Sequence, residues 1–332
     1  MKIIVTGGAG YIGSHTIVEL LNNGYEVVSV DNFSNSKPEV FDSIYKITGK
    51  KVENYDINLC DYKKLEEVFS SKKFDAIIHF AAYKAVGESV SDPVSYYKNN
   101  LGALMGILEV AKLCEVSSFI FSSSAAIYDS GSPSPHNEQS SIKPASPYGK
   151  TKEIGEIILS DYVAHNSDMK ACSLRYFNPA GAHESLLIGE NPNGFPNNLV
   201  PVITKSVKEG KEIAIFGDNY DTPDGTCIRD YIHVCDVAKA HILALKHLES
   251  GVSKDNDVFN IGRGVGVSVL EMIKTFESIN NVKTSYVIAG RRPGDVGILY
   301  ADTKKAQEVL GFKAEYSVED IMKSAWEWEN KK

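Results

Sequence analysis

Short apolar runs bounded by glycine or polar residues alternate along the first half of the chain with longer stretches whose apolar residues recur three and four apart. KIIVT (2–6), EVVSV (26–30), KVENYD (51–56), DAIIHFAA (75–82), SSFIFSSS (117–124) and MKACSLRYF (169–177) read as strands. The intervening stretches 14–23, 61–71, 92–114 and 148–165 carry helical spacing. This alternation predicts an α/β fold, a doubly wound parallel sheet with crossover helices on both faces. After about residue 178 the texture changes. NPAGAHESLLIGENPNGFPNN is rich in Asn, Gly and Pro and reads as a long loop, and loops of that length in a compact domain usually serve function. Helices near 197–209, 235–249, 268–279 and 317–330 and strands near 212–216 and 257–261 follow. The expected division is a cofactor domain over 1–178 and a smaller α/β substrate-binding domain over 179–332. Part of the second, about 229–249, returns to pack on the first.

Composition narrows the function classes. With 43% hydrophobic and 23% charged residues, the 332-residue chain reads as a soluble globular protein. A net charge of −8 argues against broad binding to nucleic acid or anionic membrane. No apolar run approaches the roughly 18–20 residues that span a bilayer. The opening MKIIVTGGAGYIG lacks a signal-peptide core, so a cytoplasmic location is expected. Five scattered cysteines without a C-x-x-C pair read as buried, reduced thiols. The eight histidines show no metal-ligand spacing, so no metal is expected. Only five of the 35 basic residues are arginines: Arg175, Arg229, Arg263, Arg291 and Arg292. A position that keeps Arg in so lysine-rich a chain points to a need for a planar, bidentate donor.

TGGAGYIG (6–13) follows the first strand and opens the first helix, with Gly7, Gly10 and Gly13 spaced G-x-x-G-x-x-G. Such glycines let the backbone approach a pyrophosphate at a helix N-terminus. The second strand ends in Asp31, an acid placed to accept both hydroxyls of a ribose and to repel a 2′-phosphate. That favours NAD over NADP. Asp56, at the end of the third strand, could receive the adenine amino group or merely cap the strand end. Lys84, after the fourth strand, could face cofactor phosphate or ribose, or solvent. Ser122, Ser123 and Ser124 end the fifth strand, where hydroxyls should face the cofactor crevice. Tyr148 opens a helix 24 residues later and Lys152 lies one turn on, on the same face. Gly155 and Leu159 continue that face, and Ile154, Ile157 and Ile158 form an adjoining apolar stripe expected to pack on the sheet.

A free phenol, with a pKa of about 10, is a poor base at neutrality. Bringing it down to neutrality takes about 4 kcal/mol of preferential phenolate stabilisation. One cation at about 4 Å supplies that order at an effective dielectric near 20. Lys152 and an oxidised nicotinamide ring are both candidates. A serine hydroxyl beside them could bond the reacting oxygen and relay its proton, which makes an alcohol-oxidising site.

TGGAGYIGSH, DN (31–32), KAVGES, FIFSSSA, SPYGKTK, RYFNPAGAH, PNNL, IFG, RDYIHV and RRPGD occur in an order that resembles the UDP-glucose 4-epimerase family of the extended short-chain dehydrogenase/reductases. The resemblance covers nearly the whole chain. It implies a Rossmann-like first domain, bound NAD, and interconversion of UDP-galactose and UDP-glucose. It makes Tyr148 the base toward the sugar's C4 hydroxyl, Ser124 its assistant and Lys152 the holder of the nicotinamide ribose, which also depresses the phenol. Carried over to the cofactor side, it implies Gly7, Gly10, Tyr11, Ile12, Gly13, Asp31, Asn32, Asn35, Asp56, Ile57, Phe80, Lys84, Asn99 and Tyr176. On the UDP-sugar side it implies Asn178, Asn198, Leu199, Phe216, Arg229, Arg291 or Arg292, Asp295 and Leu299, along with Ser124. An alternative for Arg229 is an ion pair with Asp230 or Asp236. The family is usually a homodimer, and that too is implied.

Three positions depart from the family pattern: Ala126 where a hydroxyl is frequent, Asp129 where glycine is usual, and Leu299 at the sugar's C2 group. Leucine there ranks UDP-glucose and UDP-galactose ahead of the N-acetylated UDP-sugars. A nucleotide-sugar 4,6-dehydratase would need an acidic pair where Ala125 and Ala126 stand. A non-enzymatic NAD-binding regulator could dispense with the Tyr–Lys pair and the sugar-side arginines.

Overall fold

The computed structural model describes residues 1–332 except 195, 254, 293 and 294. The first half runs β1 (Lys2–Thr6), α1 (Tyr11–Asn22), β2 (Glu26–Val30), α2 (Val40–Thr48), β3 (Glu53–Tyr55), α3 (Tyr62–Phe69), β4 (Ala76–His79), α4 (Val86–Ser91), α5 (Pro93–Leu113), β5 (Ser118–Ser124), α6 (Pro147–His165) and β6 (Lys170–Tyr176). The second half runs β7 (Asn178–Ala180), α7 (Leu199–Lys208), β8 (Ile213–Phe216), β9 (Ile228–Arg229), β10 (Tyr231–His233), α8 (Val234–Glu249), β11 (Asn256–Ile261), β12 (Val267–Ser268), α9 (Val269–Asn280), β13 (Tyr286–Ala289), β14 (Ile298–Leu299), α10 (Lys304–Leu310) and α11 (Val318–Lys331).

Seven parallel strands form the main sheet in the order β11-β6-β5-β4-β1-β2-β3. The order reverses between β1 and β4, so the crevice opens at the carboxyl ends of these strands. Side-chain alternation splits the core. Ile3, Val5, Ile78 and Leu174 pack with Ile17 and Leu20 of α1 and Val237 and Leu245 of α8. Ile4, Ile77, Phe119 and Phe121 pack on the other face with Leu104 and Ile107 of α5 and Leu159 of α6. Both faces are dry, which is why these strands read as unbroken apolar runs. Each fully buried Ile or Leu contributes about 1.5–3 kcal/mol relative to exposure. A separate core joins α7, β8, α9 and α11 through Ile203, Ile215, Met272, Phe276 and Ile321.

The structure adds elements that periodicity does not mark. α2 and α4 are nine and six residues long, too short for a clear period. The long loop after β6 begins as β7, which pairs with β10, Asn178 opposite Tyr231. Of the stripe Ile154, Ile157 and Ile158, Ile158 packs partly buried on the core beside Phe119 and Phe121, as expected, while Ile157 turns to solvent. Ile157 is 53% exposed, and the buried face carries Gly149, Lys152, Gly155, Glu156 and Leu159. The reason is steric: a Cβ at Gly155 would stand 2.5 Å from the Phe121 ring, so the helix approaches β5 along its glycine side. Of the five free cysteines Cys60 is exposed, against expectation, and the others are buried. No described helix is long and apolar enough to cross a membrane.

Candidate functional site

The turn after β1 is shaped by glycine at positions where a side chain has no room. Gly7 has φ +69°, and a Cβ there would sit 2.8 Å from Ala81 N. A Cβ at Gly13 would sit 2.2 Å from Gly7 O. The turn therefore hugs the start of α1, whose N-cap Gly10 supplies no side-chain cap. The first N–H groups of α1 are open toward the crevice, as an anion cradle requires. At the end of β2, Asp31 is 8% exposed. Its carboxylate accepts from Ala9 N and Phe33 N at 2.9 Å each and from Ser36 Oγ at 3.0 Å. These bonds tie the acid to the glycine turn.

One cavity of about 890 Å³ runs from this cradle along the strand ends to the second half of the chain. That is the upper part of the range for small-molecule sites. Gly7, Gly10, Tyr11, Ile12, Gly13, Asp31, Asn32, Asn35, Ile57, Phe80, Lys84, Asn99 and Tyr176 all line it. Asp56 does not: it is exposed beyond β3, its carbonyl accepting from Lys64 Nζ at 3.3 Å.

Ser124, Tyr148 and Lys152 line the same cavity. Ser146 caps α6 by accepting from Gly149 N at 3.2 Å, with Pro147 in the first turn. A Cβ at Gly149 would meet Ala126 O at 2.4 Å. Glycine after Tyr148 thus lets the helix end press on the turn after β5 and bring the phenol near Ser124, whose hydroxyl favours its ionised form. Lys152 is 4% exposed and gives its Nζ proton to Ser122 O at 2.6 Å. Its ammonium stands 5.8 Å from the Tyr148 ring centroid.

In the protein without cofactor, burial dominates both members of the pair. Burial raises the Tyr148 pKa above the usual 10, and the Ser124 hydrogen bond only opposes that. Burial also lowers Lys152 to about 8, opposed by the Glu156 carboxylate one turn on. Ser122, Ser123 and Ser124 all line the cavity, as expected, but the Ser123 hydroxyl is engaged elsewhere. Ser123 Oγ donates to Glu156, which is held by Arg175 at 2.9 and 2.7 Å, on the α6 side of the strand.

On the far side, Asn178, Asn198, Leu199, Phe216, Arg229, Arg292, Asp295 and Leu299 line the cavity. Arg229 Nη2 stands 3.6 Å from Asp295 Oδ1. Asp230 and Asp236 are instead satisfied by backbone N–H groups, of Arg263, Gly264 and Ala301 and of Glu315 and Tyr316 respectively. The two adjacent arginines take different positions. Arg292 lies 3.8 Å over the Phe216 ring and lines the cavity, whereas Arg291 turns to Asn219 and the Tyr220 ring. Pro293 and Gly294 of RRPGD lie outside the described residues. Leu299 pairs in register with Arg229 and packs beside Ala125, Ile127, Tyr128, Phe177 and Ala301. Ala126 lines the cavity, and Asp129 closes its own turn by accepting from Gly131 N at 2.9 Å. Glu190 and Trp328 also line it and were not expected. The only sequence signal for Glu190 was its place in the Asn-, Gly- and Pro-rich loop.

Residues 3–262 match the NAD dependent epimerase/dehydratase family. A UDP-glucose 4-epimerase of Bacillus subtilis (strain 168) is 44% identical over 331 residues, 99% of this chain and 97% of that protein. Among solved structures, a UDP-glucose 4-epimerase from Bifidobacterium longum in complex with NAD+ and UDP superposes with a TM-score of 0.94 at 45% identity, covering 100% of this chain and 98% of that one. The enzyme of that name from Stenotrophomonas maltophila, with bound NAD and formylated UDP-arabinopyranose, gives a TM-score of 0.96 at 41% identity, covering 100% and 98%.

Proposed function

The chain belongs to the NAD-dependent epimerase/dehydratase family, and from that premise we propose that it interconverts UDP-galactose and UDP-glucose with NAD as resident cofactor. The observation that carries this is a single cavity holding the glycine cradle, Tyr148 with Lys152 and Ser124, and the sugar-side set of Arg229, Arg292 and Asp295. The cradle fits the cofactor: glycines where a Cβ would collide, an open helix N-terminus, and Asp31 where a ribose diol would lie. NAD, when bound, would supply a reversible hydride acceptor for oxidation and reduction at the sugar's C4.

The chain's residues do the rest. Tyr148 takes the C4 hydroxyl proton, and Ser124 bonds the reacting oxygen and relays the proton. Lys152, fixed by Ser122 O, holds the ribose beside them. The Lys152 ammonium beside the ring, and the oxidised nicotinamide that would lie next to it, are the positive charges that would bring the phenol's pKa down against its burial. Arg229 and Arg292 are the bidentate donors for the diphosphate, with Asp295 beside Arg229 on the sugar-nucleotide side. Ala125, Ala126 and Leu299 at the sugar end offer an apolar wall, so the 4-keto sugar can turn over while the nucleotide stays held. The same alanines leave a 4,6-dehydratase without its acidic pair.

In this reading residues 1–178 hold the cofactor and 179–332 the sugar nucleotide, with α8 and β11 returning to the main core and sheet. UDP-glucose and UDP-galactose are the main substrates, ahead of N-acetylated UDP-sugars. A second copy covers the face where α5 and α6 pack together, supported by Met105 and Ile157, 46% and 53% exposed. The free cysteines support a cytoplasmic setting. The test of function is conversion of UDP-galactose to UDP-glucose by the purified protein with no cofactor added. A dead protein that nonetheless retains NAD would point to a regulator instead. Sedimentation of the wild type against Ile157→Lys tests the dimer: unchanged monomeric mass in both would remove it.

A further inference from the structure

α8 turns Val237, Ala240, Ala244 and Leu245 into the main core, and one turn from each of Val237 and Leu245 stands His241. It is 0% exposed and does not reach the cavity. It backs two residues that do. Its ring centroid lies 4.8 Å from that of Phe80 and 5.6 Å from that of Tyr176. Its Nε2 is 2.6 Å from the Tyr176 hydroxyl, and its Nδ1 is 2.8 Å from Val237 O.

These two contacts fix where the protons point. A carbonyl oxygen only accepts, so Nδ1 carries the ring proton toward Val237. Burial lowers the imidazole to about 4, so at pH 7 the ring is neutral and Nε2 bears a lone pair. The Tyr176 O–H therefore donates to His241, away from the cavity. The Ser122 hydroxyl favours the ionised form of the same phenol, as a group that donates to its oxygen does.

Stability does not call for such a pair, since replacing both partners of a buried hydrogen bond by apolar groups of like shape is nearly neutral. Chemistry does. Tyr176 ends β6 opposite Ser124, lines the cavity with Tyr148, and feels the charge on that second phenol. A Tyr176 hydroxyl without an acceptor behind it would turn its proton into the cavity, toward the reacting oxygen or an ionised Tyr148.

We propose that His241 is a positioning residue that acts through Tyr176: it turns the Tyr176 proton away from the cavity and fixes that ring at the nicotinamide end, leaving Tyr148 as the phenol free to exchange a proton with substrate. The proposal rests on the NAD-dependent reading given above.

The first test is nitrogen-15 NMR of histidine-labelled protein carrying its NAD at pH 7. The ring missing from the spectrum of His241→Gln should be neutral, protonated on Nδ1 and bare on Nε2. A ring protonated on Nε2 overturns the proposal. The second test is the rate of NAD release, with kcat and KM for UDP-galactose and the Tm of each variant. His241→Leu removes the acceptor. It should release NAD about tenfold faster and lower kcat about tenfold, the scale of one buried hydrogen bond left unmade. KM should stay within about threefold, since Arg229 and Arg292 lie at the other side of the cavity. His241→Gln keeps an acceptor for Tyr176 and should recover both quantities to within about threefold of wild type. The double variant His241→Leu with Tyr176→Phe should lose no more than Tyr176→Phe alone, because both changes remove one hydrogen bond.

Wild-type NAD release and kcat in His241→Leu would overturn the proposal. So would additive losses in the double variant, or equal losses in His241→Leu and His241→Gln in step with Tm, the mark of a merely structural residue. If His241→Leu does not fold, the NMR of the unaltered protein decides by the tautomer it shows. An unaltered protein that neither holds NAD nor converts UDP-galactose would overturn the functional reading and this proposal together, an outcome distinct from failure confined to the variants.

Discussion

Lys152 is tied to the strand end beside Tyr148: its Nζ is 5.8 Å from the phenol ring centroid and 2.6 Å from the carbonyl of Ser122 at the end of the fifth strand. The pair is thus a scaffold for charge rather than a finished base. Burial raises the phenol and lowers the ammonium, each toward its neutral form. A base poised near neutrality needs a further positive charge in the cavity.

That arrangement sets the titration of Tyr148. Without NAD the phenol should stay protonated past pH 10, since burial favours its neutral form. With oxidised NAD bound it should ionise lower. The check is the ultraviolet difference spectrum of wild type minus Tyr148→Phe, with and without cofactor. Tyr148→Phe should lose about two to four orders of magnitude in kcat with NAD still bound. Wild-type turnover in that variant would sink the mechanism.

Lys152 should cost stability at neutral pH. Its folded pKa of about 8 lies below the usual 10.5, so the folded state binds its proton less well than the unfolded chain does. The penalty is fully present below about pH 8 and is relieved as pH rises toward 10.5. Its size is about 3 kcal/mol at neutrality. Lys152→Met should therefore unfold at higher urea than wild type at pH 7, the gain should shrink at pH 9.5, and activity should be lost. A destabilised variant at pH 7 would contradict this.

Gly149→Ala tests the seating of the phenol. The added methyl would stand 2.4 Å from the carbonyl oxygen of Ala126, a backbone atom that cannot swing aside. The start of α6 must move and Tyr148 with it. We expect kcat to fall more than about tenfold, since a misplacement near 1 Å can cost two orders of magnitude. NAD content should hold, because the glycine cradle lies elsewhere. Unchanged kcat would show that Tyr148 is not positioned by this contact.

Leu299 should govern which sugars enter. It packs beside Ala125 and Phe177 and pairs with Arg229 in register. Leu299→Ala should raise the ratio of kcat/KM for UDP-N-acetylgalactosamine over UDP-galactose by about ten- to hundredfold, the scale of a few methylenes in a pocket. Leu299→Tyr should lower it. Equal efficiencies for the two sugars in the wild type would overturn the ranking of substrates.

How much of this was legible beforehand depended on whether local rules governed. The strands 2–6 and 26–30 stand where the apolar runs placed them, because a strand buried on both faces must be apolar throughout. The glycine turn, Asp31 and the Tyr148–Lys152 spacing were readable because backbone geometry and helical period fix them within a few residues. Which isoleucines of α6 face solvent was not readable, since that turned on a glycine meeting Phe121 from another strand. The different positions of Arg292 and Arg291 required Phe216, and the pairing of Arg229 with Asp295 required β9 to lie beside β14.

Sequence by itself determined the α/β order, the cofactor cradle and the chemical types at the site, since each follows from local sterics or periodicity. Tertiary structure alone decided the electrostatics: how buried the phenol is, where the ammonium points, and which carboxylate meets Lys84. Burial and through-space charge depend on neighbours far along the chain. Lys84, Glu190 and Asn198 show it most clearly: Lys84 and Asn198 were marked for opposite ends of the site, and tertiary packing brings both to one oxygen of Glu190, a residue the motifs did not mark.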